Sequence, residues 1–364
     1  MDFALIMISD RGGLMKYAFL CNKRTSRTGF KIAVVGAGPA GLSATGYLVC
    51  RGYEVDVYDK LPMAGGLMAF VIPKYRIPLE NIQEGVKDLE ENFGVKFNLS
   101  VKVCSGENYE EGDELSKTRK DLHELCNEYN AVLIATGTWR SYKLNIAGEN
   151  SSNVISALRF LLDLHLHDMH LAEGSLPKLG RVVVIGGGLS AIDAAEESLL
   201  RGAQEVYLVY RRTKKEAPAG EFEINRLIGM GVKWIELAAP VSIIAEDDIA
   251  REVRFQRMKL GEPDETGRPK PVPIPGSEFS LEADTIVIAV GERPTHPLSG
   301  DLAKYVGEDG RITVDQSFRI PGTNIFAAGD VATGPSKVGR AVEHGLFAAR
   351  TIDELISTGK LLGD

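Results

Sequence analysis

Two glycine-rich hexapeptides constrain the fold of this chain more than any other feature. GAGPAG at residues 36–41 directly follows the apolar run KIAVV, and GGGLSA at residues 186–191 directly follows RVVVI. In a parallel α/β sheet, a strand is followed by a tight turn and a helix. A run rich in β-branched residues, then glycines, then apolar residues at helical spacing indicates this order. The sequence therefore predicts two strand–turn–helix units.

Size and charge narrow the classes of function. The 364 residues are enough for two or three domains with separate cores. A formal net charge of −8 without a long basic run argues against a nucleic-acid surface. No segment has eighteen uninterrupted apolar residues, and the first residues lack the cleavage site of a signal peptide. We expect a cytoplasmic protein with no membrane contact, whose partners are small molecules or other proteins.

The four cysteines, Cys21, Cys50, Cys104 and Cys126, are widely spaced and form no CxxC pair. This spacing argues against a disulfide scaffold, a zinc site or an iron–sulfur cluster bound by this chain alone. We expect four reduced thiols and no cysteine pair that could serve a disulfide reductase.

Three histidines, His165, His167 and His170, lie close together in LLDLHLHDMH. They lie on an apolar helical stretch, and their spacing does not put them on one face as ligands four residues apart would be. We expect packing or surface histidines and no metal site.

The first glycine loop has the residues that a dinucleotide requires. Gly36 permits the tight turn, Gly38 lets the backbone approach a pyrophosphate, and Gly41 lets the helix pack closely on the strand. Pro39 and Ala40 complete the loop, and Pro39 suits a first helical turn because its missing N–H costs nothing there. The positive end of the helix dipole would then face the anion.

An acidic residue strengthens this interpretation. The predicted strand YEVDVYD ends at Asp59, 23 positions after Gly36, where a carboxylate accepts hydrogen bonds from a ribose. The first loop therefore predicts a dinucleotide with an unphosphorylated ribose. The alternative is a structural strand-to-helix turn.

The second glycine loop repeats the arrangement with one change. Gly186 and Gly188 take the places of the first two glycines, Leu189 and Ser190 follow, and Ala191 replaces the third glycine. Alanine is a permitted residue at that position.

The strand after the second loop ends in basic residues. EVYLVY is followed by Arg211 and Arg212 with no acid until Glu216. Arginines suit a ribose 2′-phosphate through bidentate, charge-assisted hydrogen bonds. The second loop therefore predicts NADPH, with NADH as an alternative. The cofactor that naturally pairs with NADPH is FAD, which we expect in the first site. A solvated basic turn is the other interpretation of the two arginines.

The whole pattern resembles the small subunit of glutamate synthase and related two-domain flavoprotein oxidoreductases. The relatives are the flavin-binding part of dihydropyrimidine dehydrogenase, the large subunit of electron-bifurcating NADH-dependent ferredoxin:NADP oxidoreductase, and sulfide dehydrogenase subunits. The resemblance covers about residues 30–355. It is carried by the order of motifs such as GAGPAGLSA, MAGGLMAFVIPKYRIP, AVLIATGTWR, VVVIGGGLSAIDAA, VYRRTKKEAPAGEFE, GEPDETGRPKPVPIPGSEF and IFAAGDVATGPSKVGRAVEHG.

The resemblance extends the candidate FAD site beyond the first loop. It implies that Asp330, after Gly329, lies on the ribityl chain, and that a helix from Lys337 and Val338 points its amides at the flavin. The remaining FAD candidates lie in the sequence between Asp59 and Gly329. They are Lys60, Gly66, Leu67, Ile72, Val103, Thr136 and Gly137. The proline-rich segment PVPIPG is too rich in proline for a central strand, and we expect a rigid loop.

The order of the motifs implies a discontinuous domain arrangement. Residues 1–29 form an N-terminal extension, residues 30–145 and 290–364 build the FAD domain and C-terminal helix, and residues 146–289 form the NAD(P)H domain inserted between them. The fold class is therefore α/β with two Rossmann-like domains of the glutathione-reductase type.

The predicted function is an FAD-dependent NAD(P)H oxidoreductase. Hydride passes from NADPH to FAD, and electrons pass to a separate iron–sulfur protein, a larger partner subunit or a small acceptor, in a homo- or hetero-oligomer. Catalytic side chains stay unassigned, with Glu343 and His344 as candidates for proton exchange. The alternative is a flavin-binding structural subunit without NADPH turnover of its own.

Overall fold

The computed structural model describes residues 7–9, 15–17, 21, 25–105, 109–172, 176, 179–264 and 267–361. Its strands, in chain order, are β1 Met7–Ser9, β2 Met15–Tyr17, β3 Lys31–Val35, β4 Glu54–Asp59, β5 Lys96–Leu99, β6 Val101–Cys104, β7 Thr118–Asp121, β8 Ala131–Ile134, β9 Arg140–Ser141, β10 Val154–Ser156, β11 Arg181–Gly186, β12 Glu205–Val209, β13 Lys233–Ile235, β14 Ala238–Glu246, β15 Ile249–Pro263, β16 Pro269–Glu282, β17 Thr285–Ala289, β18 Glu292–Arg293 and β19 Ile325–Ala327. Its α-helices are α1 Pro39–Cys50, α2 Leu67–Phe70, α3 Leu79–Phe93, α4 Leu122–Glu128, α5 Ala157–Asp168, α6 Leu189–Leu200, α7 Glu221–Gly229, α8 Asp330–Thr333 and α9 Val338–Ser357.

The chain divides into two compact units, and one of them is discontinuous. The first unit comprises residues 1–140 and 292–364, and the second comprises residues 141–291. The first contains a five-stranded parallel sheet in the order β19-β8-β3-β4-β5. Its central strands are continuous apolar runs that are buried on both faces, as expected for a parallel sheet covered by helices.

Close helix packing positions the first glycine loop within this unit. A side chain at Gly345 of α9 would overlap the carbonyl oxygen of Ala40 in α1. The Ser43 hydroxyl donates to the carbonyl of Val342, 3.2 Å away. The first and last long helices of the chain are therefore packed together at backbone distance.

The second unit repeats the sheet and adds an antiparallel layer. Its parallel sheet has the order β10-β17-β11-β12-β13, and its second sheet has the order β14-β15-β16. Buried residues of β11 and β17 and aromatic residues of the antiparallel sheet share one core. The predicted α/β class with two Rossmann-like units is confirmed.

The proline-rich segment was expected to be a loop, and that expectation was wrong. PVPIPG lies in β16, one of the two edge strands of the antiparallel sheet. Proline lacks a backbone N–H, so it is excluded from central strands but tolerated at an edge, where one side of the strand faces no partner.

The expectation of four reduced thiols was also wrong. Cys21 and Cys50 form a disulfide with their Cα atoms 5.9 Å apart, whereas Cys104 and Cys126 are free thiols. The chain before β3 runs along the end of α1, where the Thr25 amide donates to the Cys50 carbonyl at 3.3 Å. This backbone pairing brings together two cysteines whose sequence spacing carries no motif.

The three clustered histidines take separate environments. His165 is buried in α5, His167 is exposed on the same helix, and His170 follows the helix with a positive φ of 56°. Among the residues that the structure describes, no group of three or more histidine, cysteine or acidic side chains could hold a metal ion. No described helix has the length and apolar character needed to cross a membrane.

Candidate dinucleotide sites

The first glycine loop is shaped by two positions that exclude a side chain. Gly36 has a φ of +106°, and a Cβ on it would overlap the carbonyl oxygen of Ala135 at the end of β8. A Cβ on Gly41 would overlap the carbonyl oxygen of Gly36. Both glycines are therefore required by the turn itself.

Gly38 differs from its neighbours because the space beside it is empty. No heavy atom lies within 4 Å of the position that its Cβ would take. Gly38 is the N-cap of the twelve-residue helix α1, and Pro39 is its first residue. The start of helix α1 therefore borders open space at the cavity, and the free amides of a helix N-terminus are groups that bind a phosphate.

Asp59, at the end of β4, is tied to the loop. Its carboxylate accepts from the Ala37 amide at 2.6 Å and from the Leu61 amide at 2.8 Å, and the residue is 8% exposed. Burial raises the pKa of this carboxyl, and the two amides and Lys60 act in the opposite direction. A buried acid next to a glycine turn is what ribose recognition requires.

A cavity of about 650 Å³ collects most of the residues that the sequence predicts for FAD. Those lining it are Gly36, Gly38, Pro39, Ala40, Asp59, Gly66, Leu67, Ile72, Thr136, Gly137, Asp330, Lys337 and Val338. The cavity is also lined by residues that the sequence did not single out: Met68, Ala135, Trp139, Ala328, Ser336 and Ala341. Of the remaining candidates, Gly41 does not line it, and a Cβ on Gly329 would lie 2.8 Å from the Cβ of Ala40.

A second cavity of about 400 Å³ adjoins the first and holds the two other candidates, Lys60 and Val103. Both cavities are lined by Gly36, Asp59, Thr136 and Trp139, so they lie side by side in the first unit.

Buried charges line the second cavity. The Lys60 ammonium lies 3.1 Å from Glu110 and 3.2 Å from Asp113, and 4.6 Å from the centre of the Trp139 ring. Lys102 pairs with Asp113. No motif marks Lys102, Glu110 or the neighbouring His296, because each lies in its own segment of chain and only the fold brings them together.

The opposite wall of the larger cavity comes from the end of the chain. Asp330 follows Gly329, whose φ is +75°, and accepts a hydrogen bond from the Ser336 hydroxyl at 2.6 Å. Burial raises the pKa of the Asp330 carboxyl. Helix α9 begins at Val338 with Lys337 as its N-cap, and no side chain caps it.

The two candidates for proton exchange do not line either cavity. The Nδ1 atom of His344 lies 3.4 Å from the Thr333 hydroxyl, and its ring packs against Phe318. Burial and the nearby Arg340 lower the pKa of His344. Glu343 is exposed.

The second glycine loop has the same construction. A Cβ on Gly186 would overlap the carbonyl oxygen of Ala289 at the end of β17, and a Cβ on Gly187 would lie 2.6 Å from the Tyr210 ring. Beside Gly188 the space is empty to 4 Å. Helix α6 begins at Leu189, which is 40% exposed, with Gly188 as its N-cap and Ser190 in its first turn.

The two arginines after β12 take different environments. Arg211 is exposed, whereas Arg212 is 3% exposed. The Arg212 guanidinium donates to the Pro269 carbonyl and to the Asp264 carboxylate, each at 2.7 Å. The structure thus separates two residues that the sequence presents as a pair.

Comparison with known families decides the class of protein. The model of the pyridine nucleotide-disulphide oxidoreductase family matches residues 30–345. The chain belongs to this family. The predicted class of enzyme, an NAD(P)H-dependent oxidoreductase with FAD and NADPH as its cofactors, agrees with the family.

Curated relatives confirm the predicted resemblance. The chain is 38% identical over 338 residues to the β subunit of the NADP⁺-dependent formate dehydrogenase of Moorella thermoacetica, covering 91% of this chain and 45% of that one. It is 35% identical over 333 residues to the NADPH glutamate synthase small chain of Azospirillum brasilense, covering 89% of this chain and 66% of that one. The chain thus spans about half the length of the first of these relatives and two thirds of the second.

A solved structure supports the fold. FprA from Mycobacterium tuberculosis in complex with NADPH superposes with a TM-score of 0.73 at 22% identity, covering 91% of this chain and 85% of that one. The two chains therefore share the same architecture.

Proposed function

We propose that this chain takes a hydride from NADPH onto FAD and passes the electrons to a separate iron–sulfur protein, a partner subunit or a small acceptor. One observation carries the proposal: each of the two glycine loops leaves empty space beside its middle glycine, at the start of a twelve-residue helix. Two such cradles in one chain fit two dinucleotides.

The residues of the first unit fit FAD. The amides that follow Gly38 would hold the pyrophosphate, and Asp59 would accept from the ribose. Two adjoining cavities offer room for the two ends of one cofactor, which favours a dinucleotide over a mononucleotide such as FMN. Lys60, Val103 and Trp139 would then line the adenosine end.

FAD, when bound, supplies a ring that accepts a hydride and can release electrons one at a time. The chain contributes orientation and electrostatics. Helix α9 directs its positive end into the larger cavity, where it would stabilise negative charge on the ring. Asp330 and Lys337 would hold the polar chain of the cofactor.

The second unit fits the nucleotide donor. Gly186, Gly188, Leu189 and Ser190 form the loop and the first helical turn that would hold its pyrophosphate. Arg211 would meet the 2′-phosphate, and NADPH would therefore be favoured over NADH.

The cysteines support an external electron acceptor. Within the described part of the chain, no cysteine lines either cavity. Cys21 and Cys50 are joined to each other, and burial raises the pKa of the Cys126 thiol to about 11. Electrons from the flavin site would therefore leave the chain.

The relatives suggest what kind of acceptor to expect. Two of them are named as β subunits, of a formate dehydrogenase and of an NADPH–Fe(3+) oxidoreductase. These names describe subunits of larger assemblies, which favours a partner subunit for this chain as well.

An anaerobic titration of the purified flavin-loaded protein tests the proposal. We expect NADPH to bleach the visible flavin absorbance at a concentration at least tenfold below that of NADH, since a charge-assisted pair to the 2′-phosphate is worth about 1.5–3 kcal/mol. Absorbance that stays constant with both nucleotides would instead favour a flavin-binding structural subunit.

A further inference from the structure

The feature that goes beyond the proposed site is the contrast between Arg211 and Arg212. They are adjacent in sequence at the end of β12, yet one is exposed and the other is buried to 3%. A buried guanidinium must have partners, because leaving its charge and donors unpaired would destabilise the fold. Arg212 has them within its own unit.

The partners of Arg212 lie at the tip of the β15–β16 hairpin. Its Nε atom donates to the Pro269 carbonyl and its Nη2 atom to the Asp264 carboxylate, both at 2.7 Å. Asp264 also closes the turn, because its amide donates to the Arg268 carbonyl at 2.8 Å and its carbonyl accepts from the Gly267 amide at 2.8 Å. Arg212, which follows β12 and is not part of the hairpin, therefore holds both ends of its turn.

The sequence of the hairpin explains why its tip needs such a partner. The register pairs Leu260 with Pro271 and Pro263 with Pro269. A proline cannot donate to the ladder, so the hairpin has fewer interstrand hydrogen bonds at this end than its length suggests. The Nε–H of Arg212 supplies to the Pro269 carbonyl a donor that the opposite Pro263 cannot supply.

The same bonds limit what Arg212 can offer a ligand. A guanidinium binds a phosphate or carboxylate bidentately through one edge, and the edge formed by Nε and Nη2 is already occupied. Burial leaves little of the other edge accessible. Arg211 carries no hydrogen bond or ion pair among those that the structure describes for it, and its charge faces solvent.

We propose that Arg211 alone determines the preference for a 2′-phosphate, and that Arg212 is a positioning residue that fastens the hairpin tip through Asp264 and Pro269. This division of roles rests on the proposed NADPH site. It predicts that nucleotide preference and the stability of the second unit respond to different arginines.

Four single variants of the full-length flavin-loaded protein, and the double variant Arg212→Lys with Asp264→Asn, test the division. Arg211→Gln removes the exposed charge, Arg212→Lys keeps the charge but loses the planar fork, and Asp264→Asn removes the charge of the partner. Lys270→Gln, at an exposed position of β16, is the matched control for loss of one positive charge near the tip. The measurements are the dissociation constants of NADP⁺ and NAD⁺ by calorimetry and the thermal unfolding midpoint.

We expect Arg211→Gln to reduce the NADP⁺ preference about tenfold or more without changing the midpoint. Arg212→Lys and Asp264→Asn should each lower the midpoint and keep the preference within about twofold. Because they break one shared interaction, the double variant should unfold at nearly the same temperature as either single variant. The control should change neither quantity.

Two results would overturn the division. One is a loss of NADP⁺ preference in Arg212→Lys as large as in Arg211→Gln. The other is tighter NADP⁺ binding in Asp264→Asn, which would mean that Asp264 merely competes with the phosphate for Arg212. If Arg212→Lys does not fold, Asp264→Asn still gives both readings.

A failure of the proposed function is distinguishable from these results. Wild-type protein that binds neither nucleotide would contradict both the proposed function and the role of Arg211. The midpoints of Arg212→Lys and Asp264→Asn would still show whether the fastening exists.

Discussion

The two glycine loops share one backbone solution and differ in what surrounds it. In each, the first glycine lies against the carbonyl of an alanine at the end of the neighbouring strand, Ala135 for Gly36 and Ala289 for Gly186. In each, the middle glycine faces empty space. The turn and the helix end are thus fixed by close backbone contacts.

The differences lie at the third loop position and at the end of the next strand. Gly41 has no room for a side chain, whereas Ala191 is fully buried at the equivalent position. Asp59 is buried and bonded to its loop, whereas Arg211 is exposed. In the proposed function, a common cradle would serve the pyrophosphate, and selectivity for the ribose would come from one residue after the next strand that can vary independently.

The largest expected effect is a difference in stability between variants at the third loop position of the two units, Gly41 and Ala191. Gly41→Ala should destabilise the first unit by about 3 kcal/mol or more, because its Cβ would overlap the Gly36 carbonyl and the turn cannot relax. The reverse change, Ala191→Gly, should cost less, about 1 kcal/mol of helix propensity and about 0.8 kcal/mol for the buried methyl group. Denaturant unfolding measures the loss of unfolding free energy in each variant. Equal losses would mean that the two loops are packed in the same way.

The next effect concerns the strand-end acid. An asparagine at position 59 offers one acceptor where the carboxylate offers two, so Asp59→Asn leaves the amide of Ala37 or Leu61 without its partner, at a cost of about 1–3 kcal/mol. We expect the FAD dissociation constant to rise about tenfold or more, measured by flavin fluorescence, because the asparagine amide would replace a carboxylate oxygen that would accept from the ribose. Glu54→Gln, exposed at the start of the same strand, is the control and should bind FAD as wild type does.

A smaller effect should appear in the pH dependence of the protein without FAD. The pKa of Asp59 is raised above its ordinary value, so the folded state holds this proton more tightly than the unfolded state. The stability due to that proton is present at pH values below the ordinary pKa of about 4 and is lost as the pH rises through the folded-state value. The difference in unfolding free energy between wild type and Asp59→Asn should therefore shrink with rising pH over this window; a constant difference would contradict it.

The smallest effect is expected at the two proton-exchange candidates. His344 is held by Thr333 and Phe318, and neither it nor Glu343 lines either of the two cavities described above. His344→Asn and Glu343→Gln should each change the rate of flavin reduction by NADPH by less than about twofold, measured by stopped flow under anaerobic conditions. A drop of tenfold in either would assign that residue a direct role.

Local signals explain what the sequence predicts well. Gly36, Gly38 and Asp59 each follow from the chemistry of a single turn, and the apolar runs that precede the loops form the buried strands β3 and β11. Such features depend on residues within a short stretch of chain. For that reason periodicity and turn chemistry are sufficient to find them.

Features that depend on distant partners escape the sequence. The disulfide joins Cys21 to Cys50 across 29 positions of sequence, and Lys102 reaches Asp113 only in the folded unit. Arg212 is the clearest case. It and Arg211 are adjacent arginines that look alike in the sequence, and they differ because only Arg212 pairs with Asp264, 52 residues further on. Long-range pairing decides these roles, and a pattern of spacing does not record it.

The packing of α9 on α1 also has a consequence for the order in which the chain can fold during synthesis. The second unit is one continuous segment, so all of its strands are available once residue 291 has been made. The first unit receives its edge strand β19 and its last long helix only afterwards. On the ribosome, the second unit can fold while the first unit is still incomplete. Until β19 has been made, β8 is an exposed edge strand, so we expect the first unit to depend on chaperones more than the second.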